Sequence, residues 1–267
     1  MRVAFVGAGQ IGAPMSERLL AAGHELTVFA RRAEVREHFA QAGAAVTDSL
    51  AEAAGAGDVI HLALYSDEQL AEVTLGDGGL VANVAPDTLL VSHTTGSPTT
   101  VRQIAAEGNG HVVDAPFSGG ADDVLAGHLT VMLGGAPDDV ARARETVGTY
   151  ADPMLDIGEL GSALVVKLVN NALFAANIQL VAQAEQIAND LGVDTATLAR
   201  VVQQSSGASY VMGLIAAMGS TKTLVDAAGH YMRKDIDVVR AVVDGLGVDL
   251  GIVGEVLDAG PVRFEAR

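Results

Sequence analysis

The sequence contains no cysteine and few basic residues. Its 267 residues include 33 acidic and only 16 basic side chains, which give a formal net charge of −17. The absence of cysteine excludes disulfides, thiolate metal sites and a cysteine nucleophile. Because no block of Lys or Arg is present, nucleic acid and anionic membranes are poor candidate partners. The histidines show no HxxxH spacing, so we expect no metal site.

Long hydrophobic runs are missing as well. No stretch approaches about 18 uninterrupted apolar residues, and the first residues run directly into glycines without the features of a signal peptide. We therefore expect a cytoplasmic protein that does not enter a membrane. Hydrophobic residues make up 49% of the chain and glycines number 31, which favours a compact α/β fold, and the length favours two domains.

The N-terminal residues predict a dinucleotide-binding unit. A short apolar strand at 2–6 leads into GAGQIG at 7–12, and a helical pattern follows. In this GxGxxG, Gly7 permits a tight turn, Gly9 allows a pyrophosphate to approach closely, and Gly12 lets the helix pack on the strand. The unpaired N–H groups of the helix start then face the phosphates. The cofactor-binding residues predicted here are Gly7, Gly9, Gln10, Ile11 and Gly12.

The end of the second predicted strand indicates which dinucleotide binds. Arg31 and Arg32 follow this strand, where a cofactor with a free ribose 2′-hydroxyl would require Asp or Glu. Two guanidinium groups suit a 2′-phosphate, so NADP is favoured over NAD. The competing interpretation is that the two arginines form only a solvated corner.

Strands and helices continue to alternate along the N-terminal half. Further strands are predicted at 44–46, 59–64, 89–92, 111–114, 129–135 and 154–157. Tyr65-Ser66 and residues 93–98 follow two of these strands, where doubly wound sheets present ligand-binding loops. These loops either contact the cofactor or merely build a turn and cap a helix at Pro98. A third turn, at 118–120, presents unhindered backbone N–H groups that suit a carboxylate.

A long helix predicted from about residue 162 carries an unexpected lysine. The helix is apolar nearly all round, which predicts that it is buried. Lys167 lies on it, with Asn170 and Asn171 three and four residues later on the same face. A lysine on a buried helix needs a reason. The simplest is that Lys167 extends its methylenes along apolar surface while its ammonium reaches water.

The C-terminal part predicts helices only. After a helix that begins with Asp194 as its cap, helices are predicted at 209–218, 221–230, 232–245 and 249–258. A helix-rich half of this kind buries little apolar surface alone. We therefore expect a homodimer in which the helices of one subunit complete the other.

Taken in order, the motifs resemble those of the β-hydroxyacid dehydrogenase family, whose members include 3-hydroxyisobutyrate and 6-phosphogluconate dehydrogenases. The matching stretches are GAGQIGAPM at 7–15, TTGSP at 94–98, DAPFSGG at 114–120, GELGSALVVKLVNN at 158–171 and KD at 234–235. The resemblance implies an N-terminal Rossmann domain, residues 1–159, which binds NADP. It also implies an all-helical substrate and dimerisation domain, residues 160–267, with the active site between the two.

The resemblance also implies a role for particular residues. Lys167 is expected to act as general acid/base, and Asn171 to orient the substrate. Ser118, Gly119 and Gly120 are expected to bind the substrate carboxylate. The remaining implied contacts are Lys234 and Phe117 at the substrate and Leu64, Tyr65 and Thr95 at the cofactor. The implied reaction is hydride transfer between NADP and a small β-hydroxy acid or its semialdehyde.

Three residues depart from the family pattern. Tyr65 stands where proline is usual, Ala163 replaces the second glycine of a GxG, and Phe117 replaces a smaller aliphatic residue. Two other functions also fit the sequence. One is an imine reductase, which resembles the family in fold and cofactor but not at the catalytic lysine. The other is a non-catalytic module that binds NADP.

Overall fold

The computed structural model describes residues 1–264, apart from the side chains of residues 228 and 230. The chain divides into two compact units, one from Met1 to Lys167 and one from Leu168 onward. All strands of the described chain lie in the first unit, and the second unit is helical. The predicted α/β fold, with a Rossmann domain followed by a helical region, is confirmed.

The first unit is built on a mostly parallel sheet. Its strands are β1 (Arg2–Val6), β2 (Glu25–Phe29), β3 (Ala45–Thr47), β4 (Val59–Leu62), β5 (Leu89–Ser92), β6 (Val112–Asp114), β7 (Phe117–Ser118), β8 (Leu129–Gly134) and β9 (Ala151–Gly158). They lie in the order β3-β2-β1-β4-β5-β6-β8-β7, and β9 pairs with β8. Strands β1 to β6 are parallel, whereas β8 is antiparallel to β6 and β7. The order reverses between β1 and β4, the position where doubly wound sheets bind ligands outside their carboxyl ends.

Helices cover both faces of this sheet. They are α1 (Gly12–Ala21), α2 (Ala33–Gln41), α3 (Leu50–Ala56), α4 (Asp67–Leu75), α5 (Pro98–Glu107), α6 (Ala121–Ala126) and α7 (Pro137–Val147), with a 3₁₀ turn at Leu80–Ala82. Alternate residues of β1 enter two separate apolar clusters: Val3 and Phe5 belong to one, Ala4 and Val6 to the other. Because β1 is buried on both faces, its sequence is a continuous apolar run.

Several boundaries differ from the predicted ones. β4 ends at Leu62 rather than at residue 64, so Leu64 and Tyr65 lie in the loop that follows it. β9 begins at Ala151 rather than at residue 154, because its pairing with β8 extends that far. The turn at 117–120 opens with the two-residue strand β7, which the sequence patterns missed because so short a strand shows no periodicity.

The second unit consists of helices. They are α8 (Ser162–Asp190), which begins in the first unit, α9 (Thr195–Val202), α10 (Tyr210–Met218), α11 (Thr221–Leu246) and α12 (Ile252–Ala259). As predicted, Asp194 caps α9 by accepting from the backbone N–H of Thr197 at 2.9 Å. The prediction of two helices at 221–230 and 232–245 is wrong, because α11 continues through Gly229. A glycine inside a helix costs about 1 kcal/mol relative to alanine, and the burial of Leu224 and Val239 along α11 offsets it.

The predicted burial of α8 holds on one side of the helix only. Ala172, Ala175 and Ile178 are buried, but a set of apolar residues is at least two-fifths exposed. That set is Val165, Val166, Val169, Leu173, Leu180 and Ile187. Among the described helices, α8 alone is long and apolar enough to cross a membrane, and its most apolar stretch has a mean hydropathy of 1.5. Half of that stretch is buried, as in the core helix of a soluble protein.

Candidate functional site

The turn after β1 has the geometry that its three glycines predict. Gly7 has a φ of +103°, and a Cβ there would overlap the carbonyl oxygen of Ala63. A Cβ on Gly12 would overlap the carbonyl oxygen of Gly7, so the helix packs directly on the turn. A Cβ on Gly9 meets no heavy atom of the described chain within 4 Å. Gly9 therefore faces open space, as a residue that approaches a ligand must.

Helix α1 begins at this turn without an internal anion. Within residues 1–264, no side chain caps it at Ile11, and its first turn contains no acidic residue. Gln10 is exposed beside it. The N–H groups of a helix start carry partial positive charge. The start of α1 is therefore able to bind a phosphate group.

A cavity of about 570 Å³ adjoins the glycine turn. It is bounded by the segments that follow β1, β2 and β4 and by α4. Its lining residues include Gly7, Gly9, Phe29, Arg31, Arg32, Leu64, Tyr65, Gln69 and Glu72. The pocket lies at the switch between β1 and β4, and its apolar walls and glycine turn fit the adenosine half of a dinucleotide. Tyr65, which replaces the usual proline, is half-exposed at its wall.

The two arginines after β2 lie at one end of this pocket. Arg32 Nη1 is 3.7 Å from Glu34 Oε1, and both side chains are about two-thirds exposed, at 67% and 69%. An exposed pair of this length contributes little stability, roughly 0–1 kcal/mol. Arg32 is therefore able to exchange Glu34 for a phosphate. The two arginines are thus exposed to solvent and also line the pocket, which agrees with each of the two interpretations.

The loop after β5 has structural roles at two of its residues. Thr94 Oγ1 accepts from the backbone N–H of Leu64 at 3.0 Å, which joins the loop to the end of β4. Ser97 caps α5 by accepting from Thr99 N–H at 3.2 Å. Thr95, one of the residues that the resemblance places at the cofactor, is half-buried between them. Turn building is therefore established for Thr94 and Ser97, and Thr95 retains its predicted role.

His93, at the start of this loop, belongs to a fully buried polar cluster. Its Nδ1–H donates to the carbonyl of Ala115 at 2.8 Å, and its Nε2 lies 3.0 Å from His61 Nδ1 and 2.9 Å from the Tyr150 hydroxyl. Burial lowers the pKa of His93 to about 4 and lowers that of His61 well below its usual value. Both imidazoles are therefore neutral at physiological pH, and the cluster joins the end of β5 to the end of β6.

The predicted carboxylate-binding turn is exposed, but one of its amides is engaged. Ser118 and Gly119 are exposed, and Gly119 has a φ of +130°. The N–H of Gly120 donates to Asp123 Oδ2 at 2.7 Å. A substrate carboxylate must therefore displace Asp123 to reach Gly120, or bind at Ser118 and Gly119. Phe117 is half-buried and packs against the core of the first unit.

Asp114, at the carboxyl end of β6, fills the start of α8. Its Oδ1 accepts from the N–H of Gly161 and its Oδ2 from the N–H of Leu164, both at 2.8 Å. The carboxylate is fully buried. Burial raises the pKa of Asp114, and the backbone hydrogen bonds oppose that shift. Asp114 begins the DAPFSGG stretch, but no role was predicted for it.

The missing second glycine before Lys167 has a simple explanation. Gly161 has a φ of +89°, and a Cβ there would come within 3.1 Å of Pro98 and Arg102. Ala163 lies inside α8 and is fully buried. Non-glycine residues of the described chain show no positive φ. The turn thus needs glycine at position 161 and tolerates alanine at 163.

Lys167 is half-buried on α8, three residues after Leu164. Its neighbours Val165 and Val166 are 42% and 41% exposed. An environment between core and solvent is compatible with both interpretations of this lysine, as an extended side chain and as a proton-transfer group.

In the second unit, Asn171 is held by Asp235, which belongs to the KD stretch at 234–235. Asn171 Nδ2 donates to Asp235 Oδ2 at 2.8 Å. Lys234 Nζ lies 3.1 Å from Asp235 Oδ1, and the two side chains are only 22% and 21% exposed. Lys234 and Asp235 are therefore not a solvated surface pair. The described residues contain no group of His, Asp and Glu side chains suited to a metal.

Two family models match consecutive parts of the chain. Residues 2–161 match the model described as the NAD binding domain of 6-phosphogluconate dehydrogenase. Residues 161–259 match the model described as NAD-binding of NADP-dependent 3-hydroxyisobutyrate dehydrogenase. Together the matches cover nearly the whole chain.

Individual proteins agree with these matches. The 3-hydroxyisobutyrate dehydrogenase of Pseudomonas aeruginosa is 33% identical over 250 residues, covering 90% of this chain and 84% of that enzyme. The NAD-dependent L-serine dehydrogenase of the same organism is 33% identical over 214 residues, covering 79% and 72%. The structure of Mycobacterium tuberculosis 3-hydroxyisobutyrate dehydrogenase with L-serine has a TM-score of 0.87 at 27% identity, covering 97% of this chain and 92% of that one.

Proposed function

The chain belongs to the β-hydroxyacid dehydrogenase family of NAD(P)-dependent oxidoreductases, and we propose that it transfers hydride between NADP and a small β-hydroxy acid or its semialdehyde. One observation carries the proposal. Strands β1 and β6 are parallel members of one sheet, so the glycine turn and Asp114 lie at the same carboxyl edge. Asp114 binds the start of the helix that carries Lys167. The dinucleotide pocket and the lysine helix thus begin at one edge of the sheet.

In this proposal Lys167 moves the proton and NADP, when bound, supplies or accepts the hydride. During oxidation, hydride leaves the carbinol carbon while neutral Lys167 takes the hydroxyl proton. During reduction, the Lys167 ammonium protonates the alkoxide that forms. Ser118 and Gly119 bind the substrate carboxylate, and Gly120 joins them when Asp123 is displaced. Asn171 orients the hydroxyl, and Asp235 fixes its amide by accepting one of its N–H groups.

Two relatives suggest the first substrates to try. One is named for 3-hydroxyisobutyrate and another for L-serine. Both compounds carry a primary alcohol on the carbon β to a carboxylate. Phe117 and Lys234 are the residues that we expect to select among such acids. The backbone groups bind the carboxylate that all these acids share, whereas an aromatic and a charged side chain distinguish the remaining substituents.

The preference for NADP rests on Arg31 and Arg32 at the pocket. The description of the second family model also names NADP. The L-serine dehydrogenase relative is NAD-dependent, so both cofactors belong in the first assay. A screen of 3-hydroxy acids with NADP and with NAD tests cofactor, reaction and substrate together.

Replacement of Lys167 by alanine tests the proton-transfer role. Loss of a general acid/base lowers kcat by about 10²–10⁴-fold. We expect this loss, with the Kd for NADP unchanged. Lys222→Ala is the matched control, because Lys222 is exposed and pairs only with Asp226 among the contacts described for it. Turnover of Lys167→Ala equal to that of Lys222→Ala would refute the assignment.

The two other functions separate in the same assay. An imine reductase would reduce cyclic imines, and its turnover would survive Lys167→Ala. A non-catalytic module would bind NADP tightly and turn over neither acids nor imines. The resemblance at Lys167 and at the 118–120 turn supports the dehydrogenase over both.

We also propose that the protein is a homodimer. The exposed residues Val169, Leu173, Leu180 and Ile187 follow one another along α8 at spacings of four and seven, which forms one apolar stripe. A second copy of α8 is the occupant that such a repeat fits. Mass measurement in solution tests this: Leu173→Glu with Leu180→Glu should give a monomer, whereas the control Gln186→Glu, at an exposed residue on another face of α8, should not. A monomeric unsubstituted protein would contradict the proposal.

A further inference from the structure

One buried side chain joins the predicted carboxylate-binding turn to the predicted catalytic helix. Asp114 ends β6, four residues before Ser118. Its two oxygens accept from Gly161 and Leu164, at the start of α8. Leu164 precedes Lys167 by three residues, which is about one helical turn. The path from one functional element to the other thus runs through a single carboxylate.

The surroundings of Asp114 leave it little freedom. Each oxygen accepts one backbone N–H at 2.8 Å, a pattern that the ionised carboxylate satisfies and an amide does not. A Cβ on Gly134 would overlap Oδ1 and come within 3.1 Å of the Ala163 nitrogen. An anion at a helix start is also favoured by the helix dipole. Asp114 therefore fixes both the position and the direction of the first turn of α8.

We propose that Asp114 is a positioning residue for the reaction, which sets Lys167 in place against the turn at 118–120. The inference rests on the proposed function. Asp114 itself does not touch the substrate in this account. It acts through Lys167, by holding the amides of Gly161 and Leu164.

Asp114→Asn tests the proposal with the smallest change of shape. The new NH₂ group faces a backbone N–H where an oxygen was, so the start of α8 must shift. A displacement of about 1 Å at a catalytic group costs on the order of 10²-fold in rate. We expect kcat to fall about 10–100-fold, with the Kd for NADP unchanged and KM changed less than kcat. Amide hydrogen exchange at Gly161 and Leu164 should accelerate in the cofactor-free protein, which is a readout independent of activity.

Asp194→Ala is the matched control, because alanine removes the cap, whereas asparagine would keep an oxygen for the N–H of Thr197. Asp194 also caps a helix through its carboxylate, at the start of α9. It should show faster exchange at Thr197 and an unchanged kcat. Equal loss of kcat in the two variants would mean that helix capping in general, rather than the position of Lys167, accounts for the effect, and would overturn the proposal.

A double-mutant cycle separates this inference from the proposed function. If Asp114 acts through Lys167, Asp114→Asn should lower the residual rate of Lys167→Ala by less than about twofold, because the two changes remove one shared effect. Independent, multiplying losses would overturn the role of Asp114 alone. Unchanged turnover in Lys167→Ala would instead overturn the proposed function. If Asp114→Asn does not fold, Gly134→Ala displaces the same carboxylate without removing its charge, and the same cycle applies.

Discussion

Helices α1 and α8 begin at the same edge of the sheet, but their N-terminal N–H groups have different partners. Helix α1 has no side-chain cap and no acidic residue in its first turn within the described chain. Helix α8 has its first N–H groups bound by the buried carboxylate of Asp114. Both starts attract an anion for the same physical reason. In α8 the protein supplies the anion, and in α1 it leaves that position to a ligand.

The difference shows how one local property serves two purposes. A helix start that binds an internal carboxylate is held in one position, because the carboxylate belongs to the chain and cannot dissociate. A helix start that remains open and borders a cavity becomes a binding site. Two glycines show the same difference. A Cβ on Gly9, beside the start of α1, would meet open space, whereas a Cβ on Gly134 would overlap the carboxylate at the start of α8.

The largest effect is expected when a carboxylate is introduced at the start of α1, which then resembles the start of α8. Gly9→Asp adds a carboxylate where a Cβ meets no described atom within 4 Å, so the fold should persist. We expect the Kd for NADP to rise by at least about 1,000-fold, which corresponds to ~4 kcal/mol, because the carboxylate repels the pyrophosphate. Calorimetric titration measures this. Gly55→Asp is the control, since a Cβ there also meets nothing; comparable affinities of the two variants would contradict the assignment of the open helix start.

Acid should lower the free energy of unfolding through His93, which lies next to the Asp114 cap of α8. His93 donates to Ala115, the residue after Asp114, and its pKa is lowered to about 4 in the fold against about 6.5 unfolded. Between these values the unfolded chain binds more protons, so stability falls as pH falls from about 6.5 to 4. The contribution of His93 is at most about 3 kcal/mol, and the raised pKa of Asp114 acts in the opposite direction.

Thermal unfolding followed across this pH range measures the effect. His93→Asn retains a donor for Ala115 but cannot take up a proton. It should be less stable at pH 7, because a buried ring is lost, and its stability should depend less on pH between 6.5 and 4. An unchanged slope would show that His93 does not govern the acid response.

A smaller effect is expected at the two arginines, which test whether the pocket prefers NADP to NAD. Arg31→Ala with Arg32→Ala should weaken NADP binding by about 10–100-fold, the loss of one or two charge-assisted hydrogen bonds. NAD binding should change less than about threefold, because it lacks the 2′-phosphate. The ratio of the two Kd values is the measurement. Equal losses for both cofactors would favour the interpretation of these arginines as a general electrostatic corner.

Much of the fold could be predicted because it rests on local patterns. The strand, glycine turn and helix at the N-terminus were predicted from the spacing of Gly7, Gly9 and Gly12, and the structure shows the close contacts that this spacing requires. The N-cap at Asp194 was predicted for the same reason. Residues within one turn of each other determine such features, so one sequence is enough to predict them.

The features that were missed depend on residues far apart in the chain. Asp114 meets Gly161 across 47 residues, and Asn171 meets Asp235 across 64. Which side of α8 is buried depends on the elements that pack against it, so its apolar sequence alone predicted more buried surface than the structure shows. Likewise, Gly229 suggested a helix end that packing along α11 overrides. The candidate residues could be named from the sequence, but the side chains that hold them could not.

Gly134 has a consequence for how this family varies. Its hydrogen leaves room for the Asp114 carboxylate beside the Ala163 nitrogen, and Gly161 supplies the turn that brings the N–H groups to that carboxylate. A side chain at 134 therefore displaces the acid at 114 from the N–H groups that it binds. Among relatives, glycine at 134 and at 161 should accompany aspartate at 114 and disappear with it.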